Sequence, residues 1–318
     1  MTNMGEFDLI KRYFDRSELQ SGPAMALGIG DDCALLNIPQ GSQLAVTSDT
    51  LLAGTHFFAD MAPGQIAQRC LAASVSDLAA MGATAAWFNL CLTLPHAEPQ
   101  WLADFSQGLA AQASACGISL AGGDTTKGPL SISIHAMGWV PLGQALTRHG
   151  AQIDDAILVS GYLGDSAAGL SIMQAQRQSQ DYLSRRYWQP TPRLVLGQWL
   201  RQKASACIDV SDGLVQDLEH ILTASDCGAD LQIQQLPLSS QLLAHVPLAQ
   251  GQDFALSGGE DFELCFTLPQ RHVAAALTHA DTSGTPITVI GKISEAQGCR
   301  VWHADGSAYE AKQGYQHF

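Results

Sequence analysis

An apolar strand, an aspartate-rich turn and a helix recur in both halves of this chain, and that recurrence narrows how it can fold. In the first half QLAVTSD (43–49) reads as a strand whose end carries Thr47, Ser48 and Asp49. Pro63 opens a long helix through Met81, with Ile66, Cys70, Leu71, Val75 and Leu78 among its apolar residues and Gly82 to end it. AWFNLCLTL (86–94) is a strand bounded by Pro95, residues 101–116 form a helix stopped by Gly117, and SISIHAMGWV (131–140) alternates as another strand. A short opening helix, Glu6 to Phe14, carries Phe7, Ile10 and Phe14 at helical spacing.

Residues 141–155 are rich in turn formers and lack a strong period, which marks a domain junction. The pattern then begins afresh with AILVSG (156–161) leading into a helix from GDSAAGLSIM, ACIDV (206–210) leading into DGLVQDLEHILTAS, FELCFTL (262–268), a helix near 270–280 and ITVIGKI (287–293). The expected fold is two-domain and mixed α/β (α+β): an N-terminal mixed sheet with helices over 1–145, and a C-terminal α/β domain over 146–318. The alternating apolar strands of the first half offer a self-complementary surface for a dimer. Acidic turns at strand ends would place the active site in the cleft between the domains.

At 318 residues and 46% hydrophobic content the chain can bury two cores. Thirty acidic residues against 16 basic ones give a formal net charge of −14, which argues against nucleic acid as a partner, because phosphate-backbone binders need clustered Lys and Arg. Eight cysteines are scattered without a C-x-x-C pair or zinc-finger spacing and read as small buried thiols, as expected in a reducing cytoplasm. The first residues alternate charged and apolar side chains, so neither a signal peptide nor a membrane span is expected there.

Six acidic motifs carry the chemistry: GIGDDCA (28–34), TSDT (47–50), SDLAAMGA (76–83), AGGDTT (121–126), DVSDGL (209–214) and SGGED (257–261). Hard cations such as Mg²⁺ take oxygen ligands, hold few protein carboxylates each and leave room for water and phosphates, so dispersed aspartates gathered by folding suggest several such ions. Asp32 sits in a Gly-flanked turn, where an ordinary surface turn is the competing explanation. Asp77 lies in an otherwise apolar helix, where an unpaired carboxylate costs several kcal/mol unless an ion or a donor compensates it; a capped or salt-bridged acid is the alternative. In GGDTTKG the paired glycines allow backbone N–H groups to approach phosphate oxygens while Asp124 binds a cation, although a tight turn also accounts for the string. Asp209 and Ser211 share a face in extended geometry, and Asp212 stands where a helix N-cap would. Arg148 can grip a phosphate bidentately or form an exposed ion pair. His56 follows the TSDT strand, and a lone histidine is more often structural. P-loop, G-x-G-x-x-G, kinase H-R-D or D-F-G and G-x-S-x-G signatures are all lacking.

Taken in order, GEFDLI (5–10), GIGDDCALL, TSDTLLAGTHF, SDLAAMGA, GGDTTKGPL, LTRHGA, GDSAAGL, DVSDGL, LSGGEDFELCFT, VIGK and the terminal GYQHF span nearly the whole chain. In these motifs the chain resembles the bacterial thiamine-monophosphate kinases, of the aminoimidazole-ribonucleotide-synthetase-like ATP-binding superfamily. The resemblance implies transfer of the ATP γ-phosphate to thiamine monophosphate, giving thiamine diphosphate, with several Mg²⁺ ions and a homodimer whose N-terminal domain binds ATP and Mg²⁺. By matching motif it assigns Mg²⁺ to Asp32, Thr47, Ser48, Asp49, Asp77, Asp124, Asp209 and Asp212. Gly123, Asp124, Arg148 and Ser211 fall to ATP, and His56, Glu260 and Lys312 to the thiamine phosphate. Lys312 stands where family members often carry an aromatic residue that stacks on the substrate ring, so the ring contact there departs from the family pattern.

The implied chemistry needs no strong base. A phosphate monoester has a second pKa near ~6, so the acceptor oxygen is already largely anionic at neutral pH. The barrier is repulsion between two anions, relieved by alignment and positive charge, and direct in-line transfer without a phosphoenzyme is expected. Two other readings are an ATP-dependent synthetase of the same superfamily, which releases phosphate, and a non-catalytic nucleotide or metal sensor. Selenophosphate synthesis fits less well, because no Cys precedes the first acidic motif.

Overall fold

The computed structural model describes residues 5–312, 314 and 315; Gln316, His317 and Phe318 of the terminal motif lie outside the described residues, as does the side chain of Phe7. The chain divides into two compact units, one reaching to Leu78 and resuming over Ala83–Gly143, the other holding Ala79–Gly82 and everything from Gln144 onward.

The first unit runs α1 (Glu6–Tyr13), β1 (Ser42–Leu52), α2 (Pro63–Ala80, its last two residues counted with the second unit), β2 (Thr84–Leu94), α3 (Pro99–Cys116), β3 (Ser119–Lys127) and β4 (Ser131–Pro141). Its sheet has the order β1-β4-β2-β3, with β2 and β3 parallel and the other neighbours antiparallel. Strand alternation gives one buried face, with Ile132, Ile134 and Ala136 on β4 and Phe88, Leu90 and Leu92 on β2. The helical spacing of Ile66, Cys70, Leu71, Val75 and Leu78 buries all five side chains of α2. On the other face Met25, Ala34 and Leu36 cover Trp87, Ala121, Met137 and Trp139.

Two strands differ from expectation. β1 continues for three residues past Asp49, because its pairing with β4 runs on to Leu52 opposite Ser131, so Thr47–Asp49 lie within the strand and not at its end. AGGDTT belongs to β3, an edge strand beside β2, and not to a glycine turn. Its glycines allow close strand approach: Gly123 has φ +152°, and a Cβ there would stand 1.8 Å from the Leu90 carbonyl oxygen.

The second unit contains β5 (Ala156–Ser160), α4 (Asp165–Ala175), α5 (Tyr182–Trp188), α6 (Leu194–Leu200), β6 (Ala206–Asp209), α7 (Leu214–Ser225), β7 (Gly228–Gln232), α8 (Ser240–His245), α9 (Leu248–Ser257), β8 (Leu264–Leu268), α10 (Gln270–Ser283), β9 (Ile287–Ser294), β10 (Gly298–Trp302) and β11 (Ala308–Tyr309). The sheet order is β11-β10-β7-β9-β5-β8-β6, and of its pairings only β10 with β7 is parallel. Alternation along β5 explains the layering. Ile157 and Val159 join Leu214, Leu218 and Ile221 of α7 in one core, while Ala156 and Leu158 join Leu196 and Leu200 of α6 in another. At about 1.5–3 kcal/mol per buried aliphatic side chain, these two cores supply the main stabilisation of the unit. Among the described residues no helix is long and apolar enough to cross a membrane. All eight cysteines are unpaired; four are buried, but Cys33 is exposed, against the expectation of uniformly buried thiols.

Candidate active site

In the first unit, Thr47 and Asp49 are two residues apart on β1 and share a face. There the Thr47 hydroxyl donates to the Asp77 carboxylate of α2. Burial, and secondarily the Asp77 charge, push the Asp49 carboxyl up to about 6. Two carboxylates and a hydroxyl thus crowd one spot, a set of oxygens that a hard divalent cation suits. Ser48 does not join them. Alternation turns it to the opposite face, where its Oγ lies 2.6 Å from His135 Nδ1.

That opposite face carries a groove of about 930 Å³, bordered by His135, Cys91, Asp31, Asp32, Gly123 and Asp124. Asp32 and Asp124 are both exposed. The Asp31 carboxylate accepts the Asp32 backbone N–H at 2.9 Å and shapes the turn. Of the expected metal residues in the first unit, Thr47, Asp49 and Asp77 share one face, while Asp32 and Asp124 border the groove and Ser48 bonds His135 on its edge; Asp209 and Asp212 belong to the second unit. Among the described residues no three His, Cys, Asp or Glu side chains are drawn into one metal-binding group.

His56 follows β1 and is held from two sides. Its carbonyl accepts from Nε of Arg69, which is only 1% exposed, and its Nδ1 accepts the Leu52 N–H at 3.0 Å. With Nδ1 an acceptor, the neutral ring carries its proton on Nε2.

In the second unit DVSDGL links β6 to α7 and SGGED links α9 to β8. The two loops are zipped together: Glu260 N–H donates to Ser211 O (2.7 Å), Phe262 N–H to Val210 O (2.9 Å) and Val210 N–H to Glu263 O (2.8 Å). Glu260 and Phe262 are held at φ +65° and +51°, a conformation rarely adopted by residues other than glycine and stabilised by these bonds. Asp209 is buried at the end of β6, with Ser211 and Asp212 half-buried beyond it.

Asp212 does not cap α7. Gly213 occupies the N-cap position, and the loop amides are taken by a residue that the sequence reading passed over. Asp217 Oδ2 accepts the N–H groups of Ser211, Asp212 and Gly213 at 2.9, 3.0 and 3.1 Å. Burial pushes its carboxyl up to about 7, against the pull of those donors. In a helix an acid at this position looks like any solvated acid, so only the 211–217 spacing could have signalled it.

A second missed group lies beneath SGGED. Glu263, fully buried, accepts from Arg193 Nε (2.6 Å) and Nη2 (2.5 Å), Arg186 (2.9 Å) and Ser160 (2.6 Å). Arg186 also donates to the Asp261 carbonyl at 3.1 Å. Asp261 in turn accepts the Gly164 and Ser166 N–H groups at 2.7 and 3.1 Å, bonding the start of α4 to the loop.

Arg148 is exposed ahead of β5, its carbonyl accepting from Ser225. Lys312 is already engaged: its ammonium lies 2.6 Å from Asp253, and its carbonyl accepts from Ser257 at 2.7 Å. The same tail then follows the DVSDGL loop, where Tyr315 N–H donates to Asp212 O (3.1 Å) and Gln216 donates to Tyr315 O (3.0 Å). An aromatic residue thus does reach the loop, three positions beyond Lys312.

The models for AIR synthase related protein match this chain over residues 30–140 for the N-terminal domain and 152–304 for the C-terminal domain. The thiamine-monophosphate kinase of Escherichia coli (strain K12) is 48% identical over an alignment of 321 residues, which covers 99% of this chain and 98% of that one. The chain belongs to the thiamine-monophosphate kinase family. Within that family, the crystal structure of thiamine-monophosphate kinase from Stenotrophomonas maltophilia K279a has a TM-score of 0.85 at 42% identity, over 95% of each chain. AaThiL complexed with AMPPCP and TMP has a TM-score of 0.78 at 29% identity, over 100% of this chain and 98% of that one. The mixed α/β fold expected from the sequence is the family's fold.

Proposed function

We propose that this chain transfers the γ-phosphate of ATP to thiamine monophosphate, yielding thiamine diphosphate and ADP. The observation that carries this reading is the full-length match to thiamine-monophosphate kinase, which spans all six acidic motifs. Several Mg²⁺ ions fit the residues present, because the donors are hydroxyl and carboxylate oxygens and the Asp49–Asp77 crowding calls for a counter-charge. Thr47, Asp49 and Asp77 would hold one; Asp32, Asp124 and Ser48 serve the groove face, and Asp209 and Asp212 the second unit. When bound, Mg²⁺ neutralises charge on the transferring phosphoryl group.

The chain's own residues align the reactants. Gly123, Asp124, Arg148 and Ser211 take the nucleotide, Arg148 as the bidentate phosphate donor. His56 meets the acceptor phosphate, and no residue has to remove a proton from that phosphate. Glu260 holds the thiamine portion. Because Lys312 is paired with Asp253, Tyr315 is assigned the ring contact in its place. Transfer is direct and in line, without a phosphoenzyme. The exposed apolar stripe on β1, with Leu44 and Val46, supports a homodimer, and eight unpaired cysteines suit the cytoplasm.

An assay coupled to ADP release, run in parallel with a phosphate-detecting assay, tests the reading. ADP release that requires both thiamine monophosphate and Mg²⁺, with no free phosphate, is expected. Phosphate release would favour the synthetase, and absence of turnover the sensor.

A further inference from the structure

DVSDGL contains three consecutive backbone N–H groups, Ser211, Asp212 and Gly213, just ahead of a helix. Such amides are ordinarily left without an intrahelical partner and form a ready anion site. Here they are consumed. A single oxygen of Asp217, a side chain only 2% exposed, accepts all three at 2.9–3.1 Å. The carboxylate reaches backwards from the first turn of α7, and Asp217 N–H closes that turn on Gly213 O at 2.9 Å. The N-cap itself, Gly213, has no side chain that could do this.

The opposite edges of the same peptides are also tied. Ser211 O accepts Glu260 N–H at 2.7 Å and Asp212 O accepts Tyr315 N–H at 3.1 Å. The peptide planes are therefore fixed from both sides, with amides toward Asp217 and carbonyls toward SGGED and the tail. Three N–H dipoles converging on one point favour an acceptor that carries negative charge. With these amides withdrawn, no backbone donor of the loop is left for a phosphate; the Ser211 hydroxyl remains for the nucleotide and the Asp212 carboxylate for a cation.

We propose that Asp217 is a positioning residue for the phosphoryl transfer, one that withdraws the backbone amides of 211–213 from phosphate and leaves the loop's side chains, the Asp212 carboxylate above all, to serve a divalent cation. This rests on the kinase reading above. Asp217, buried behind the loop, acts through Ser211, Asp212 and, at one remove, Glu260 and Tyr315.

Asp217→Asn keeps the shape but removes the charge that gathers the amides. The half-saturating Mg²⁺ concentration is expected to rise about 10-fold and kcat to fall at least about 10-fold at limiting Mg²⁺, with KM for thiamine monophosphate within about 2-fold of wild type. Ile221→Val, which trims the core side of the same helix, is the control and leaves the Mg²⁺ dependence unchanged. An unaltered Mg²⁺ response in Asp217→Asn, or the same shift in Ile221→Val, overturns the proposal. Amide hydrogen exchange of residues 211–213 in the ligand-free protein is the second readout: protection in wild type that is lost in Asp217→Asn supports the proposal, and exchange at open-loop rates in wild type overturns it, which also decides if the variant does not fold. A wild type that turns over nothing would instead bring down the kinase reading, a separate result.

Discussion

Asp49→Asn is expected to lower kcat/KM roughly 1,000-fold, equivalent to ~4 kcal/mol of transition-state stabilisation, while leaving the protein folded. Asp49 shares a face of β1 with Thr47, and Thr47 bonds Asp77, so loss of this carboxylate removes half of the paired charge that would hold a cation there. The same change has the opposite effect on stability. Without a cation the two carboxylates repel, and neutralising one relieves that repulsion, so the Tm of chelator-treated protein is expected to rise by a few degrees, about 1 kcal/mol. Steady-state kinetics and thermal melts in EDTA check both halves. Lost activity with a lowered Tm would make Asp49 a structural acid; undiminished activity would remove it from the site.

Glu263→Ala is expected to destabilise the protein by about 3–5 kcal/mol, the range for deleting one partner of a buried ion pair. The carboxylate is wholly buried and compensates two guanidinium groups whose side chains are only 11% and 17% exposed. Removing it leaves Arg186 and Arg193 facing each other without the carboxylate they share, and Ser160 without its acceptor. For a unit of this size the loss corresponds to a fall in Tm on the order of 10 °C, read by scanning calorimetry. The SGGED loop depends on this clamp through Arg186 and the Asp261 carbonyl, so activity should fall with the folded fraction and recover on cooling. A Tm within 2 °C of wild type, using about 2–4 °C per kcal/mol, would show that the clamp contributes little.

What could be read from the chain depended on whether the physical signal was local. The buried stripe of α2 and the alternation of β4 follow from side-chain period, and both elements fall within a residue or two of expectation. β3 was missed because Gly122 and Gly123 read as a turn, whereas parallel pairing with β2 carries them as a strand. Thr47, Ser48 and Asp49 are adjacent in sequence, yet strand geometry sends Ser48 to His135 and the other two toward Asp77. Asp212 was expected to cap α7, but Asp217 took the loop amides from the other direction. The Arg186–Glu263–Arg193 clamp joins residues about 70 positions apart, and spacing in a sequence carries no trace of it. Lys312 occupied the position expected of an aromatic, while the fold brings Tyr315 to the same loop.

The most direct test is the fate of a label on the γ-phosphate of ATP. Incubation with thiamine monophosphate and Mg²⁺, followed by chromatography, should place the label in thiamine diphosphate, one equivalent for each ADP formed, with none on the protein. Label recovered as inorganic phosphate, or bound to a side chain during turnover, would contradict direct transfer to thiamine monophosphate.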